Sequence, residues 1–68
     1  MDNKQIEEQV TEYVYKNYPT YKDKQLIINE LGNHFKVYKH KDASPLVLGF
    51  MNYTVYSTGE AYIKWNKQ

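Results

Sequence analysis

The sequence has no cysteine, no arginine and no long hydrophobic run. The lack of cysteine excludes disulfides, thiol catalysis and thiolate zinc sites, and it leaves the redox compartment open. All nine basic residues are lysines, so the bidentate guanidinium contacts that favour phosphate and guanine recognition are missing. No apolar run approaches the roughly 18 residues that a membrane helix needs, so no membrane span is predicted.

The small size of the chain limits the kind of protein that it can form. With 68 residues, 8.2 kDa and a net charge of +1, residues 1–68 are predicted to form one small domain. A domain of this size buries only about 60% of the surface that its unfolded chain exposes, so a deep enzyme cleft is not expected. The polar first residues favour the cytoplasm for the chain as it stands, or the cell surface or secretion if a leader has been trimmed.

The first part of the sequence has the periodicity of an amphipathic helix over residues 2–18. Its apolar stripe follows the i, i+4, i+7, i+8, i+11 spacing of one helix face. The stripe consists of Ile6, Val10, Tyr13, Val14 and Asn17. Asp2 precedes Gln5 in capping-box spacing, and Pro19 is predicted to end the helix at the residue before it.

After residue 25 the period of the apolar residues changes to two, which is typical of strands. Residues 26–31 and 34–40 are predicted to form a hairpin around a two-residue Gly32-Asn33 turn, because glycine at the first loop position readily adopts a positive φ. This register places Ile28 opposite Val37.

A second hairpin is predicted between residues 46–56 and the strand that follows Gly59. A two-residue turn would set Trp65 against polar side chains, whereas a three-residue loop that ends in Gly59 makes one face fully apolar. The three-residue loop is therefore predicted. It pairs Met51 with Trp65, Tyr53 with Ile63 and Val55 with Ala61.

These elements predict an α+β fold, in which one N-terminal amphipathic helix packs on a four-stranded antiparallel meander sheet in the order α-β-β-β-β. The helix is expected to cover one face of the sheet. That face is predicted to carry Leu26, Ile28, Phe35, Val37, Val47, Met51, Tyr53, Val55, Ile63 and Trp65.

The order of elements and the last hairpin, Val55-Tyr56-Ser57-Thr58-Gly59-Glu60-Ala61, resemble small cystatin-like domains of the PepSY type, whose closing hairpin commonly carries a Thr-Gly-Glu turn. The likeness covers the whole chain in topology and these turn residues in motif. The resemblance implies a non-enzymatic binding module, often outside the cell and sometimes inhibitory toward peptidases. No site residues of that family can be carried over to this sequence.

Residues that could support catalysis or hold a cofactor are scattered along the sequence. His34 and His40 would point to the same side of a strand roughly 20 Å apart, which is too far to share a metal ion. Ser44 and Ser57 lie in loops without a His–carboxylate relay, and the dispersed glycines form no phosphate-binding loop. We therefore predict no enzyme activity, no cofactor and no metal site.

The sheet face opposite the helix is the predicted binding site. A contiguous apolar patch on a face that the helix cannot reach usually marks an interaction site. The alternative is that its aromatic residues serve only strand propensity and cross-strand pairing. The predicted partner-binding residues are Ile27, Leu31, Lys36, Tyr38, Leu48, Phe50, Tyr56, Tyr62 and Lys64.

Two functions are compatible with this Tyr-rich face. The first is a protein-interaction module, with an inhibitory or accessory role, that binds a protein partner or its own copy in a homodimer. The alternative is single-stranded nucleic-acid binding, with bases stacked on Tyr38, Tyr56 and Tyr62. The phosphates would then lie along Lys36, Lys39, Lys41 and Lys64. The net charge of +1 and the lack of arginine favour the first.

Overall fold

The computed structural model describes residues 3–66, which form one α-helix packed on one four-stranded sheet. Helix α1 spans Asn3–Asn17, and a short 3-10 helix follows at Pro19–Tyr21. The strands are β1 (Ile27–Leu31), β2 (His34–Tyr38), β3 (Leu46–Val55) and β4 (Ala61–Trp65). All neighbours are antiparallel in the order β1-β2-β3-β4, so the predicted α+β fold and meander topology are confirmed.

Helix α1 ends just before the proline, one residue short of its predicted end at Tyr18. The last helical residue is Asn17, because the residue before Pro19 is disfavoured in the helical conformation. The helix buries its apolar stripe against the sheet, and the fully buried members of that stripe are Ile6, Val10 and Val14. The predicted cap at Asp2 lies outside the described residues.

Both hairpin turns have the predicted length. Gly32 has φ +50° at the first position of the two-residue turn, and Ile28 lies opposite Val37 as predicted. In the second hairpin Gly59 has φ +89°, and the Tyr56 N–H donates to the Glu60 carbonyl at 2.8 Å across the three-residue loop. The predicted pairs of Val55 with Ala61 and of Tyr53 with Ile63 are confirmed.

The predicted pairing of Met51 with Trp65 is wrong, because β3 contains a bulge. Trp65 lies opposite Phe50, and regular pairing resumes at Asn52, which leaves Met51 as the extra residue. One extra residue reverses the side-chain alternation of the strand on one side of the bulge. The first half of β3 therefore faces the opposite way from the prediction, while its second half faces as predicted.

The bulge exchanges two pairs of side chains between the faces of the sheet. Leu48 and Phe50, predicted on the face away from the helix, are only 1% and 5% exposed, because Leu48 lies opposite Phe35 and shares its buried face. Val47 and Met51, predicted beneath the helix, are instead 56% and 59% exposed. The buried core consists of Ile6, Val10, Val14, Phe35, Val37, Leu48, Phe50 and Ala61.

A row of aromatic rings joins the helix to the sheet. The Tyr13 ring stacks on Trp65 with centroids 4.2 Å apart, and Trp65 lies 5.8 Å from Phe35. Phe50 is 4.7 Å from Phe35 and 5.9 Å from Tyr53, which completes the row. Aromatic pairs at these separations add attraction beyond their buried area. The row explains why Trp65 belongs beneath α1 even though its predicted partner was wrong.

Two glutamines hold α1 against the outer edge of β4. The Gln5 Oε1 accepts the Ala61 N–H at 3.0 Å, and the Gln9 Oε1 accepts the Ile63 N–H at 3.2 Å. The Gln9 Nε2 also donates to the Ala61 carbonyl. Four residues of helix rise about 6 Å, and two residues of strand span about 6.6 Å. Helix side chains at positions i and i+4 are therefore spaced like every second residue of the strand. The glutamines thus occupy positions that a further strand would use.

Candidate functional site

The sheet face away from α1, called here the outer face, retains most of the predicted binding residues. They are Ile27, Leu31, Lys36, Tyr38, Tyr56, Tyr62 and Lys64. Leu48 and Phe50 are not among them, because both lie in the core. A partner could contact those two side chains only if the domain opened.

One apolar group of the outer face, called here the Ile27 cluster, consists of Ile27, Tyr38 and Val47. Ile27 lies directly opposite Tyr38 on the neighbouring strand. Val47 lies opposite Lys36 on β3, which makes it a diagonal neighbour of Tyr38. Sequence reasoning missed Val47. The apolar pattern gives no clear signal for its face, because residues 46–48, 50 and 51 are apolar at both odd and even positions.

The second group is an exposed tyrosine pair, Tyr56 and Tyr62. Their rings meet edge to face with centroids 5.5 Å apart. The Tyr62 hydroxyl donates to the Glu60 carboxylate at 2.6 Å. That hydrogen bond, followed by the negative charge of Glu60, desolvation and then the charge of Tyr56, raises the pKa of Tyr62 above its ordinary value of 10.0. The edge-to-face contact and this hydrogen bond hold the Tyr62 ring in one geometry on the outer face.

A polar strip separates the Ile27 cluster from the tyrosine pair. Its side chains are His34, Lys36, Asn52, Lys64 and Asn66. Gly49 lies at its centre, opposite His34, and a Cβ there would clash with the side-chain amide of Asn66. Glycine therefore leaves room for the Asn66 side chain. From Val47 to Tyr56 the strand advances about 30 Å at about 3.3 Å per residue, so the predicted single patch is two separate patches.

The other candidate residues have local roles in the described structure. The His34 Nδ1 lies 3.2 Å from the Asn33 Oδ1, and the His40 Nδ1 accepts the Asp42 N–H at 3.2 Å. Within residues 3–66, no group of three or more His, Asp or Glu side chains could hold a metal ion. None of the helices in this range combines the length and the hydropathy needed to cross a membrane.

Comparison with protein-family models, with curated proteins and with solved structures gave no match for this chain. The likeness to cystatin-like domains of the PepSY type therefore remains a prediction from topology and one turn motif, and the geometry of the outer face carries the functional argument.

Proposed function

We propose that this chain is a non-enzymatic protein-interaction module whose outer face docks on a partner protein. The observation that supports this is the exposure of two apolar groups, the Ile27 cluster and the tyrosine pair, on a face that no described element covers. Tyrosine is enriched among the residues that anchor protein interfaces. A typical interface buries about 800 Å² on each partner, a patch roughly 30 Å across, which matches the separation of the two groups.

The charges of the outer face define the chemistry of the partner. Lys36 and Lys64 lie in the strip between the apolar groups, together with His34. A partner with acidic side chains between two apolar contacts complements this arrangement. A second copy would bring the same lysines face to face, and like charges in an interface are unfavourable. The arrangement therefore favours a different protein over a homodimer.

Single-stranded nucleic acid fits the outer face less well. Stacking on successive bases needs a run of accessible rings. Here Tyr38 is separated from the tyrosine pair by the polar strip, and the Tyr62 ring is already packed edge-on against Tyr56. A titration of the domain with a labelled oligonucleotide at about 50 mM salt tests this alternative, and binding there would contradict the proposal.

Site-specific photo-crosslinking in the native host would identify the partner. A benzophenone amino acid at Val47 or at Tyr62 should crosslink to one and the same protein. The matched control is Val55, which is also exposed but lies on the helix side of the sheet, opposite Ala61. Crosslinks of equal yield from all three positions, or none from Val47 and Tyr62, would contradict docking by the outer face.

The purified complex then tests the predicted charge. Replacing both Lys36 and Lys64 with glutamate should weaken binding at least about tenfold, because acidic side chains of the partner would meet acidic side chains here. The control variant replaces the exposed Lys22 and Lys24 with glutamate, which changes the net charge equally away from the outer face. If both double variants bind alike, the outer face is not the interface.

A further inference from the structure

The two edges of the sheet differ in how their main chain is satisfied. The outer edge of β4 is occupied by the Gln5 and Gln9 side chains. In the part of the chain that the structure describes, no glutamine covers the edge of β1 in this way. In a hairpin with a two-residue turn, the residues that flank the turn, here Leu31 and His34, form a hydrogen-bonded pair. Hydrogen-bonded and non-hydrogen-bonded pairs then alternate along the two strands. The N–H and C=O groups of Ile28 and Glu30 therefore point away from β2. The main-chain hydrogen bonds that residues 3–66 form outside the helix and the sheet include none to these groups.

A groove runs beside this open edge, between β1 and the first half of α1. It has a volume of about 210 Å³ and is lined by Ile6, Glu7, Ile28, Glu30 and Phe35. A strand that pairs with β1 would place every second side chain into this groove, because side chains alternate between the faces of a sheet. The open main chain and the groove therefore form one continuous binding surface.

The groove has apolar walls and two carboxylates. Ile6, Ile28 and Phe35 supply the walls, and Glu7 and Glu30 supply the negative charge. The Glu30 Oε2 accepts one hydrogen bond, from the Tyr53 hydroxyl at 3.2 Å, which orients its carboxylate. A lysine or arginine side chain suits this composition, since its aliphatic stem packs on apolar groups while its cation hydrogen-bonds to carboxylates.

A second copy of the chain does not suit the groove. Antiparallel pairing of β1 with another β1 would direct the copy's own inward residues, Ile28 and Glu30, into the groove. This would add a carboxylate to a site that already holds two. An inward-pointing charge at an edge strand is a known device against self-pairing, and here it also selects the partner by charge.

We propose that the β1 edge binds an extended peptide segment, which joins the sheet as a fifth strand and places a lysine or arginine between Glu7 and Glu30. Residues two positions before and after this cation are apolar, because they also point toward the helix side of the sheet. The main-chain hydrogen bonds of β1 supply affinity, and the groove supplies specificity. The site is separate from the outer face and does not depend on the function proposed for that face.

The test uses a short alternating peptide, Thr-Val-Thr-Lys-Thr-Val-Thr, titrated into the isotope-labelled domain. NMR shift changes should concentrate at the amides of Ile28 and Glu30, with few at Ala61 and Ile63 on the occupied edge. Replacing the peptide lysine with glutamate should weaken binding at least about tenfold, because hydrogen bonds to charged groups are the strongest in such sites. N-methylation of the amides that face β1 should abolish binding.

Variants of the domain separate this site from general charge effects. Glu7→Gln and Glu30→Gln should each weaken binding of the lysine peptide several-fold, while Glu8→Gln, an exposed carboxylate outside the groove, should leave it unchanged. Glutamine at position 30 still accepts the Tyr53 hydroxyl, so the fold is kept. Equal binding of the lysine and glutamate peptides, or no binding at all, would overturn the proposal. Tyr62→Ala, which alters the outer face, should not affect this titration.

Discussion

The two edge strands of the sheet, β4 and β1, differ in whether their outward-facing main-chain N–H and C=O groups have hydrogen-bond partners. Strand β4 would expose main-chain groups at Ala61 and Ile63, but Gln5 and Gln9 of α1 satisfy them with side-chain amides. Among residues 3–66 no side chain does the same for β1, and the side of α1 that faces β1 carries Glu7 instead. An unprotected edge is a hazard for aggregation unless charge or a partner controls it. The contrast indicates that α1 closes one edge and leaves the other available.

This difference arises from neighbouring residues on a single helix. The buried stripe that includes Ile6 points at the sheet, so residues one position earlier and one later lie about 100° to either side of it. Gln5 is thereby directed to β4 and Glu7 to the groove beside β1. An amide offers both a donor and an acceptor to a strand edge, whereas a carboxylate only accepts. The helix also packs closer to β4 than to β1, so its position and the residue types on either side of the stripe together determine which edge is closed.

The largest expected effect concerns the core that positions β4. Phe50→Ala should lower the free energy of unfolding by about 3–5 kcal/mol, because a buried phenylalanine is removed from contact with Phe35 and Tyr53. Met51→Ala, at the exposed bulge residue next to it, should change it by less than about 0.5 kcal/mol. Urea denaturation of both variants measures this. The reverse ranking would mean that β3 has no bulge and that the faces are assigned wrongly.

The second largest expected effect is the loss of stability when Gln9 no longer hydrogen-bonds to the β4 edge. Gln9→Met keeps helix propensity and length but leaves the Ala61 carbonyl and the Ile63 N–H without their partner, which should cost about 1–3 kcal/mol. Gln25→Met, the same change at an exposed position before β1, should cost less than about 0.5 kcal/mol. Hydrogen exchange should also become faster at the Ile63 amide in Gln9→Met. Equal stability of the two variants would mean that the glutamine contacts do not protect the β4 edge.

The smallest expected effect concerns the pKa values of two tyrosines. Tyr53 donates a hydrogen bond to Glu30, and Tyr62 donates one to Glu60. Glu60→Ala should lower the pKa of Tyr62 most of the way to its ordinary value, since Glu60 is the largest cause of the increase. Glu30→Ala should lower the pKa of Tyr53 only in part, because desolvation is the larger cause there. NMR titration of labelled tyrosine ring carbons measures both. If both pKa values fell equally far toward the ordinary tyrosine value, Tyr53 would be no more desolvated than Tyr62.

The raised pKa values of Tyr53 and Tyr62 make the stability of the fold depend on pH. A folded-state pKa above the unfolded value favours the neutral phenol in the folded state. The stabilisation is therefore complete below the unfolded value near 10.0 and is lost as the pH rises through the higher folded values of Tyr53 and Tyr62. Unfolding curves should consequently be insensitive to these two groups at neutral pH and respond to them only in alkaline solution.

Local patterns were sufficient to predict the elements and the turns. The helix stripe, the proline at its end and the two turn glycines each act over a few residues, so the helix, both hairpins and their loop lengths followed from the sequence. The position of Met51 did not follow in the same way. The prediction extended a single alternation through all of β3, although residues 46–48, 50 and 51 are apolar at both odd and even positions, and this placed Leu48 and Phe50 in the binding face.

The glutamine contacts could not have been predicted from sequence patterns. Gln5 and Gln9 have the composition of an ordinary solvated helix flank, and their role depends on where β4 lies relative to α1. That position results from packing across the whole domain. The open β1 edge was equally hidden, because a strand is identified as an edge only once the order of all strands is known.

The glutamine contacts also have a consequence for how the chain acquires its fold during synthesis. The hydrogen bonds between α1 and β4 join residues that are 52, 54 and 56 positions apart. Contacts of such long sequence separation slow folding, since a large loop must close before they form. A nascent chain therefore holds α1 without the strand that its glutamines bind until residue 63 has left the ribosome. Until then the Gln5 and Gln9 side chains have no β4 edge to bind, so the protection of that edge is among the last features of the fold to form.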